Sequence, residues 1–343
     1  LLQSQKYFFT LTLLLLGVLL LTFLNISLGS VSIPVKEVFA SIFNLEVSKD
    51  TWQYIVVEYR LPKALTAIIT GSGLAISGLL MQTLFRNPLA GPYVLGLSSG
   101  ASLGVAIVIM GASVFGGAFA GILLSKWSLV IASSLGSLLV LMAVMLASLR
   151  LRDTMAILII GLMFASLTAA VVSVLSYFSP AAQLQQYVFW SFGSLGDLAW
   201  NEVGILAIFW IVGIILAISC IKNLNTLLLG EQYAKSLGVS IQKNRLIIII
   251  ATSLLAGSIT AFAGPIAFVG LAVPHLIRQI IPVNNHSILV PAVLLGGAAL
   301  MLICDIAAQL PGQEFTLPIN AITSLIGAPV VIWLLVRKRK FLF

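Results

Sequence analysis

Long apolar runs recur from one end of this 343-residue chain to the other, and each can cross a hydrocarbon core of about 30 Å as a helix of roughly 20 residues. Stretches such as Leu11–Leu24 and Leu246–Leu255 are apolar on every face. Transmembrane β-strands alternate apolar and polar residues over about ten positions, so this pattern excludes a barrel and predicts a polytopic helical membrane protein. Only 8% of residues are charged and 60% are hydrophobic, against about 25% charged in soluble domains. A soluble enzyme is excluded on that ground.

The runs predict ten spans, at roughly 7–28, 61–83, 93–111, 128–148, 154–177, 203–221, 245–262, 265–281, 287–308 and 318–336. Ten crossings put both termini on one side. With that side in the cytoplasm, the inner segments hold Lys6, Arg86, Arg150, Arg152, Lys222, Lys235, Lys243, Arg245, Arg278, Arg337, Lys338, Arg339 and Lys340, leaving only Lys36, Lys49, Arg60, Lys63 and Lys126 of the 18 basic residues outside. The outer side also holds Glu37, Glu46, Asp50, Glu58, Asp197, Glu202 and Glu314. This asymmetry orients the chain by the positive-inside rule. The net charge of +8 thereby follows from topology, and nucleic-acid binding is a poor reading of it. The first run lacks a following small-residue cleavage site and is expected to stay as a span. The chain opens at Leu1 without Met, so its true N-terminus is expected upstream.

Cys220 and Cys304 have no neighbours at metal-ligand or redox spacing and read as small buried residues. Gly71, Ala75 and Gly78, then Gly96, Gly100 and Gly104, place small residues along the second and third spans, where they let backbones approach closely. Gly91-Pro92-Tyr93-Val94-Leu95-Gly96-Leu97 is echoed, with one insertion, by Gly264-Pro265-Ile266-Ala267-Phe268-Val269-Gly270-Leu271. Five helices separate the copies, which inverts the second relative to the first and suggests two inverted-topology halves of five helices. The whole chain, 1–343, reads as a single transmembrane domain.

No G-x-x-x-x-G-K-[ST] phosphate loop is present, so any ATP must be handled by another chain. Paired carboxylates and a His-Glu-x-x-His helix are also missing, which removes the support for a membrane enzyme. No catalytic residue and no metal site is expected. Asp305 and His275 are the main ionisable residues within spans. Ion-coupled carriers rely on such groups, and Asp305 keeps a secondary carrier open as the competing class. Its other reading is a hydrogen-bond acceptor that fixes a helix end.

The longest inner polar stretch, about 222–245, contains Gly230–Gly238. Its residues can form two short helical turns with Tyr233, Ala234 and Leu237 at i, i+1 and i+4, and Gly238 suits the left-handed position that ends a helix. Such a segment is a natural handle for a motor protein. An ordinary solvated loop is the alternative.

Gly230-Glu231-Gln232-Tyr233-Ala234-Lys235-Ser236-Leu237-Gly238 resembles the coupling-helix motif G-E-x-x-A-x-x-L-G of the iron-siderophore, haem and cobalamin permease family of ABC importers (FecCD-like). Arg60-Leu61-Pro62-Lys63 resembles that family's R-L-P-R, followed by Leu74–Gly78 and Gln82. Arg86-Asn87-Pro88-Leu89-Ala90-Gly91-Pro92, with Leu95-Gly96 and Ser99-Gly100-Ala101, resembles R-N-P-L-A-x-P-x-x-L-G-x-x-x-G-A. Phe268–Leu271 with Pro274-His275 and Arg278 resembles F-V-G-L-x-x-P-H-x-x-R, and Leu317-Pro318 through Ile326-Gly327-Ala328-Pro329 resembles the last-helix pattern. The likeness covers roughly residues 55–340.

The resemblance implies a ten-helix permease in the bacterial inner membrane, paired with a second copy or close relative. It implies two cytoplasmic ATPase subunits, which would hold ATP and Mg, and a periplasmic or lipid-anchored binding protein outside; this chain itself would carry no cofactor. Gly230, Glu231, Ala234, Leu237 and Gly238 would couple to the ATPase, and Arg60 and Lys63 would attract carboxylates on the binding protein. Arg86, Asn87, Pro88, His275 and Arg278 fall in cytoplasmic loop motifs, where an ATPase contact and simple positive-inside anchoring are both open. Thr154 would lie near the cytoplasmic gate, with Gly161, Ala165 and Thr168 following at helical spacing, facing either the path or packed neighbours. Two departures from the family stand out. Asp305 is followed by Ala307, Ala308 and Gln309 where relatives often carry an arginine, and Thr316 stands where many carry an acid before Leu317-Pro318. The implied cargo is a ferric siderophore, with haem and cobalamin as alternatives.

Overall fold

The structure is a computed structural model that describes residues 2–115, 125–150, 154–309 and 315–337. In chain order its α-helices are α1 (Leu2–Ser27), α2 (Val35–Ile42), α3 (Asp50–Tyr54), α4 (Leu61–Phe85), α5 (Leu97–Phe115), α6 (Lys126–Arg150), α7 (Thr154–Phe178), α8 (Ala181–Ser191), α9 (Trp200–Ser219), α10 (Ile221–Leu227), α11 (Glu231–Ser236), α12 (Ile241–Ala263), α13 (Val269–Ile280), α14 (His286–Ala308) and α15 (Ile319–Arg337). A π-helical stretch, Ile55–Arg60, joins α3 to α4, and a 3₁₀ turn, Pro92–Leu95, precedes α5.

Seven helices among the described residues are long and apolar enough to cross a membrane, and two shorter apolar helices cover Leu97–Gly111 and Ile319–Trp333. The expected span at 265–281 is shorter than its sequence suggests. Helix α13 has 12 residues, about 18 Å at 1.5 Å per residue, and its lead-in 264–267 is not helical. Non-helical backbone is tolerated at membrane depth only where protein satisfies it, and here the Ala267 N–H donates to Asn320 Oδ1 at 3.0 Å.

Contacts divide the chain into two compact units, residues 1–76, 194–208 and 266–343 in the first, and 77–193 and 209–265 in the second. Neither unit coincides with a run of five consecutive helices. In the first, α1 packs along α14 while Phe8, Leu13, Leu16 and Leu20 remain exposed, as expected for a helix whose outer face meets lipid. Gly71 of α4 and Gly297 of α14 meet backbone to backbone. A Cβ on Gly71 would lie 2.5 Å from the Met301 Cβ, besides striking the Gly297 carbonyl. An apolar cluster of Ile26, Ile33, Val38, Val56 and Ala64 ties the end of α1 to α2 and the π-helical stretch.

In the second unit, α5 and α6 form the corresponding close crossing. A Cβ on Gly100 would lie 2.5 Å from the Gly136 carbonyl, and one on Gly104 would strike the Ala132 carbonyl. The stripe of small residues expected on α5 is therefore a packing face, as read from the sequence, and Gly136 on α6 is its counterpart. Helix α6 also packs on α12, where Trp127 and Phe262 meet edge to face at 6.2 Å.

Candidate functional site

Residues 221–238 fold as two short helices set at a bend. Gly230, at φ +114°, breaks the chain between α10 and α11, a conformation that glycine reaches without a Cβ clash. Helix α11 ends as the sequence predicts. The Gly238 N–H donates to the Lys235 carbonyl and the Val239 N–H to the Ala234 carbonyl, both at 3.0 Å, with Gly238 at φ +84°. This pair of bonds is a Schellman closure. Ala234 is fully buried, whereas Tyr233 and Leu237 are each 55% exposed. The face expected to carry all three residues therefore splits, Ala234 seating the helix while the two larger side chains point away. Exposed Leu229 extends this apolar surface. The side chain of Glu231 lies outside the described residues.

The Arg86-Asn87-Pro88 loop closes α4 beside this segment. Arg86 adopts φ +46°, and its Nη2 donates to the Leu227 carbonyl at 2.9 Å. Asn87 builds an Asx turn, its Oδ1 accepting from the Leu89 N–H at 2.9 Å. Arg86, Leu229, Gly230, Gln232, Tyr233 and Ser236 line an open hollow of about 690 Å³.

Arg60 and Lys63 are placed otherwise than expected. The π-helical turn re-aims Arg60, which is 8% exposed and donates to the carbonyls of Ile26 at 2.8 Å, Ser27 at 2.9 Å and Val31 at 2.5 Å. Its charge closes the C-terminal end of α1, where carbonyls lack intrahelical partners, and is not displayed for docking. Lys63 Nζ lies 3.2 Å from Asp305 Oδ1. Asp305 Oδ2 accepts from Asn25 Nδ2 at 2.8 Å and Gln309 Nε2 at 2.7 Å. The carboxylate is thus fully engaged in joining α1, α4 and α14, the acceptor role read from the sequence, and Gln309 occupies the turn after it. Sequence inspection had no means to find Asn25, which lies 280 positions away.

On α7, Gly161 and Ala165 pack against the turn at Gly96. A Cβ added there would lie 3.1 Å from the Gly161 carbonyl and 3.5 Å from the Ala165 nitrogen. Thr168 is 5% exposed and returns its hydroxyl to the Phe164 and Ala165 carbonyls, both at 2.9 Å. Gly161 and Ala165 thus border the Gly96 turn, and Thr168 is buried on the same helix. The side chain of Thr154 lies outside the described residues. His275 and Arg278 sit half-buried on α13, one helical turn apart. Among the described residues no three His, Cys, Asp or Glu side chains converge as metal ligands.

The two echoed segments lead into helices in the same way. Gly96, at φ +76°, precedes α5, and Phe268, at φ +66°, precedes α13. Phenylalanine in that conformation is a strained outlier. Gly327 on α15 makes room for it, since a Cβ there would strike the Phe268 Cβ.

The family model of the FecCD transport family matches residues 15–337. The chain belongs to the FecCD transport family. Among similar proteins, the hemin transport system permease protein HmuU of Yersinia pestis is 36% identical over 330 residues, covering 95% of this chain and 96% of that protein. The vitamin B12 import system permease protein BtuC of Klebsiella pneumoniae is 34% identical over 343 residues, covering 98% and 95%. A solved structure of a metal-chelate type ABC transporter in an inward-facing conformation superposes with a TM-score of 0.83 at 30% identity, covering 96% of this chain and 99% of that one. The chain is accordingly an all-helical, multi-pass permease subunit of an ABC importer, and ATP is used by a partner ATPase. This sets aside the ion-coupled carrier that Asp305 had kept open.

Proposed function

We propose that this permease carries a metal chelate, a ferric siderophore, across the bacterial inner membrane, with both termini and the 221–238 segment in the cytoplasm. Haem and cobalamin stay as alternative cargoes, since the similar permeases are named for hemin and vitamin B12. The reading rests chiefly on α11. It is a short rigid helix bracketed by left-handed glycines, anchored by Ala234 and presenting Tyr233 and Leu237. Such a knob fits a groove on an ATPase subunit, and a buried anchor beneath exposed apolar side chains transmits a push without bending. The Lys/Arg asymmetry supports the orientation.

A second permease subunit, identical or related, would complete the path, and a periplasmic or lipid-anchored binding protein would deliver cargo from outside. Arg60 is spent on carbonyls at the end of α1, and Lys63 is paired with Asp305 while still 21% exposed, so of the two basic residues Lys63 is the one left to face such a partner. Proteoliposomes holding the permease with its ATPase and binding protein provide the test. The reading predicts ATP-dependent accumulation of a ferric siderophore over haem and cobalamin. Preference for either of the latter replaces the cargo, and ATP-independent accumulation refutes the function.

A further inference from the structure

Residues Leu227 and Gly230 mark the bend from which α11 projects, and the Leu227 carbonyl is where two chain segments meet. It accepts the Gly230 N–H at 3.1 Å, which closes the bend locally. It also accepts Arg86 Nη2 at 2.9 Å, from a residue 141 positions away. A carbonyl has two lone pairs, so both bonds form at once. Arg86 holds a left-handed backbone, φ +46°, a region that side chains other than Gly, Asn and Asp rarely occupy. Two bonds fix this turn, Arg86 N–H to the Thr83 carbonyl at 3.3 Å and Asn87 N–H to the Gln82 carbonyl at 3.2 Å. The turn ends α4 and directs the guanidinium at α10.

We propose that Arg86 is a positioning residue that tethers the root of α11 to the end of α4, so that displacement of α11 is delivered to α4 as a unit. The proposal rests on the coupling reading above and adds the element that receives the motion. A Cβ added to Gly230 would meet nothing within 4 Å, and the residue sits at φ +114°, so no side-chain packing stiffens the bend. The Arg86 bond does so. Without the tether, Ala234 still seats α11 but the helix is no longer bonded to the end of α4, and part of its displacement is lost at the Gly230 bend while the ATPase turns over. Simple electrostatic anchoring of the chain at the membrane surface requires a positive charge near this position but no bond to Leu227.

The test separates side chain from turn. Arg86→Gly keeps the left-handed turn and removes the donor. Arg86→Lys keeps one donor and the charge. In the assembled complex, Arg86→Gly is expected to lower cargo moved per ATP hydrolysed by about tenfold, the scale of one lost hydrogen bond to a charged group, with the ATPase subunits still bound and hydrolysing. Arg86→Lys is expected to recover most of that ratio. A second readout uses the permease alone, spin-labelled at the exposed positions Leu89→Cys and Lys235→Cys. The distance distribution is expected to broaden in Arg86→Gly and narrow again in Arg86→Lys. This distance reports on the tether even where the coupling reading itself fails. Unchanged distances in Arg86→Gly, or an unchanged ratio of cargo to ATP, overturn the proposal.

Discussion

Around Asp305 the polar groups of this permease turn inward, Lys63, Asn25 and Gln309 all meeting one carboxylate, whereas over residues 229–238 the backbone carries the structure and every large side chain described, Leu229, Tyr233 and Leu237 among them, faces out. The first arrangement locks α1, α4 and α14 together. The second seats α11 by one buried alanine and by the Arg86 bond to the Leu227 carbonyl at its root. Polar residues thus serve stability where they are enclosed, and remain available to a partner where the backbone has already been satisfied.

Breaking the enclosed node should have the largest effect on stability. Asp305→Ala strands the Lys63 ammonium, which is 21% exposed, and is expected to cost about 3 kcal/mol, the lower end for a broken buried pair. Thermal unfolding in detergent measures this loss, and a near-neutral result would mean that water enters the node. Arg60→Met removes three bonds to the end of α1 and is expected to cost about 2 kcal/mol, seen as faster amide exchange at Leu28–Val31 and a lower melting temperature. Gly238→Ala places a Cβ on a left-handed residue and is expected to cost about 1 kcal/mol, confined to α11. Its signature is reduced transport with global unfolding unchanged, which sharpens the contrast between the regions. The smallest effect belongs to Glu37, whose carboxylate accepts from the Ser48 hydroxyl at 2.6 Å and N–H at 2.9 Å. Those bonds hold it below the ordinary carboxylate value of 4.5. Because its folded value is depressed, its contribution is present above that value and lost as pH falls through the lower one. Exchange protection of the Ser48 amide is expected to follow that course, and to disappear at neutral pH in Glu37→Ala, which leaves the N–H no side-chain acceptor.

Much of the fold was legible because the bilayer demands long apolar helices, and the left-handed end of α11 at Gly238 could be read from one glycine after six helical residues. The partners of Arg60 and Lys63 could not. A basic residue beside a helix start announces charge but no direction, and the π-helical turn that swings Arg60 toward α1 leaves no pattern in Ile55–Arg60. Arg60 turns inward there because the carbonyls of Ile26, Ser27 and Val31 lie close in space and need donors. Helix α13 was overextended for a related reason. Gly264 and Pro265 sit in an apolar run that hydropathy alone continues, whereas Phe268 can hold its left-handed backbone only because Gly327 vacates the space. Each echoed segment places a left-handed residue directly before a helix, Gly96 in one and Phe268 in the other, although these two positions do not align in the echo.

On the proposed function, movement of cargo depends on force received at the exposed face of α11. The most direct measurement compares wild-type permease and Leu237→Asp, each reconstituted with the ATPase and binding protein, for cargo accumulated per ATP hydrolysed. Leu237 is 55% exposed, so the substitution should change stability by no more than about 0.5 kcal/mol. A folded complex whose hydrolysis no longer moves cargo is the expected result. Accumulation by the permease alone on a proton or sodium gradient, or an unchanged ratio in Leu237→Asp, would contradict it.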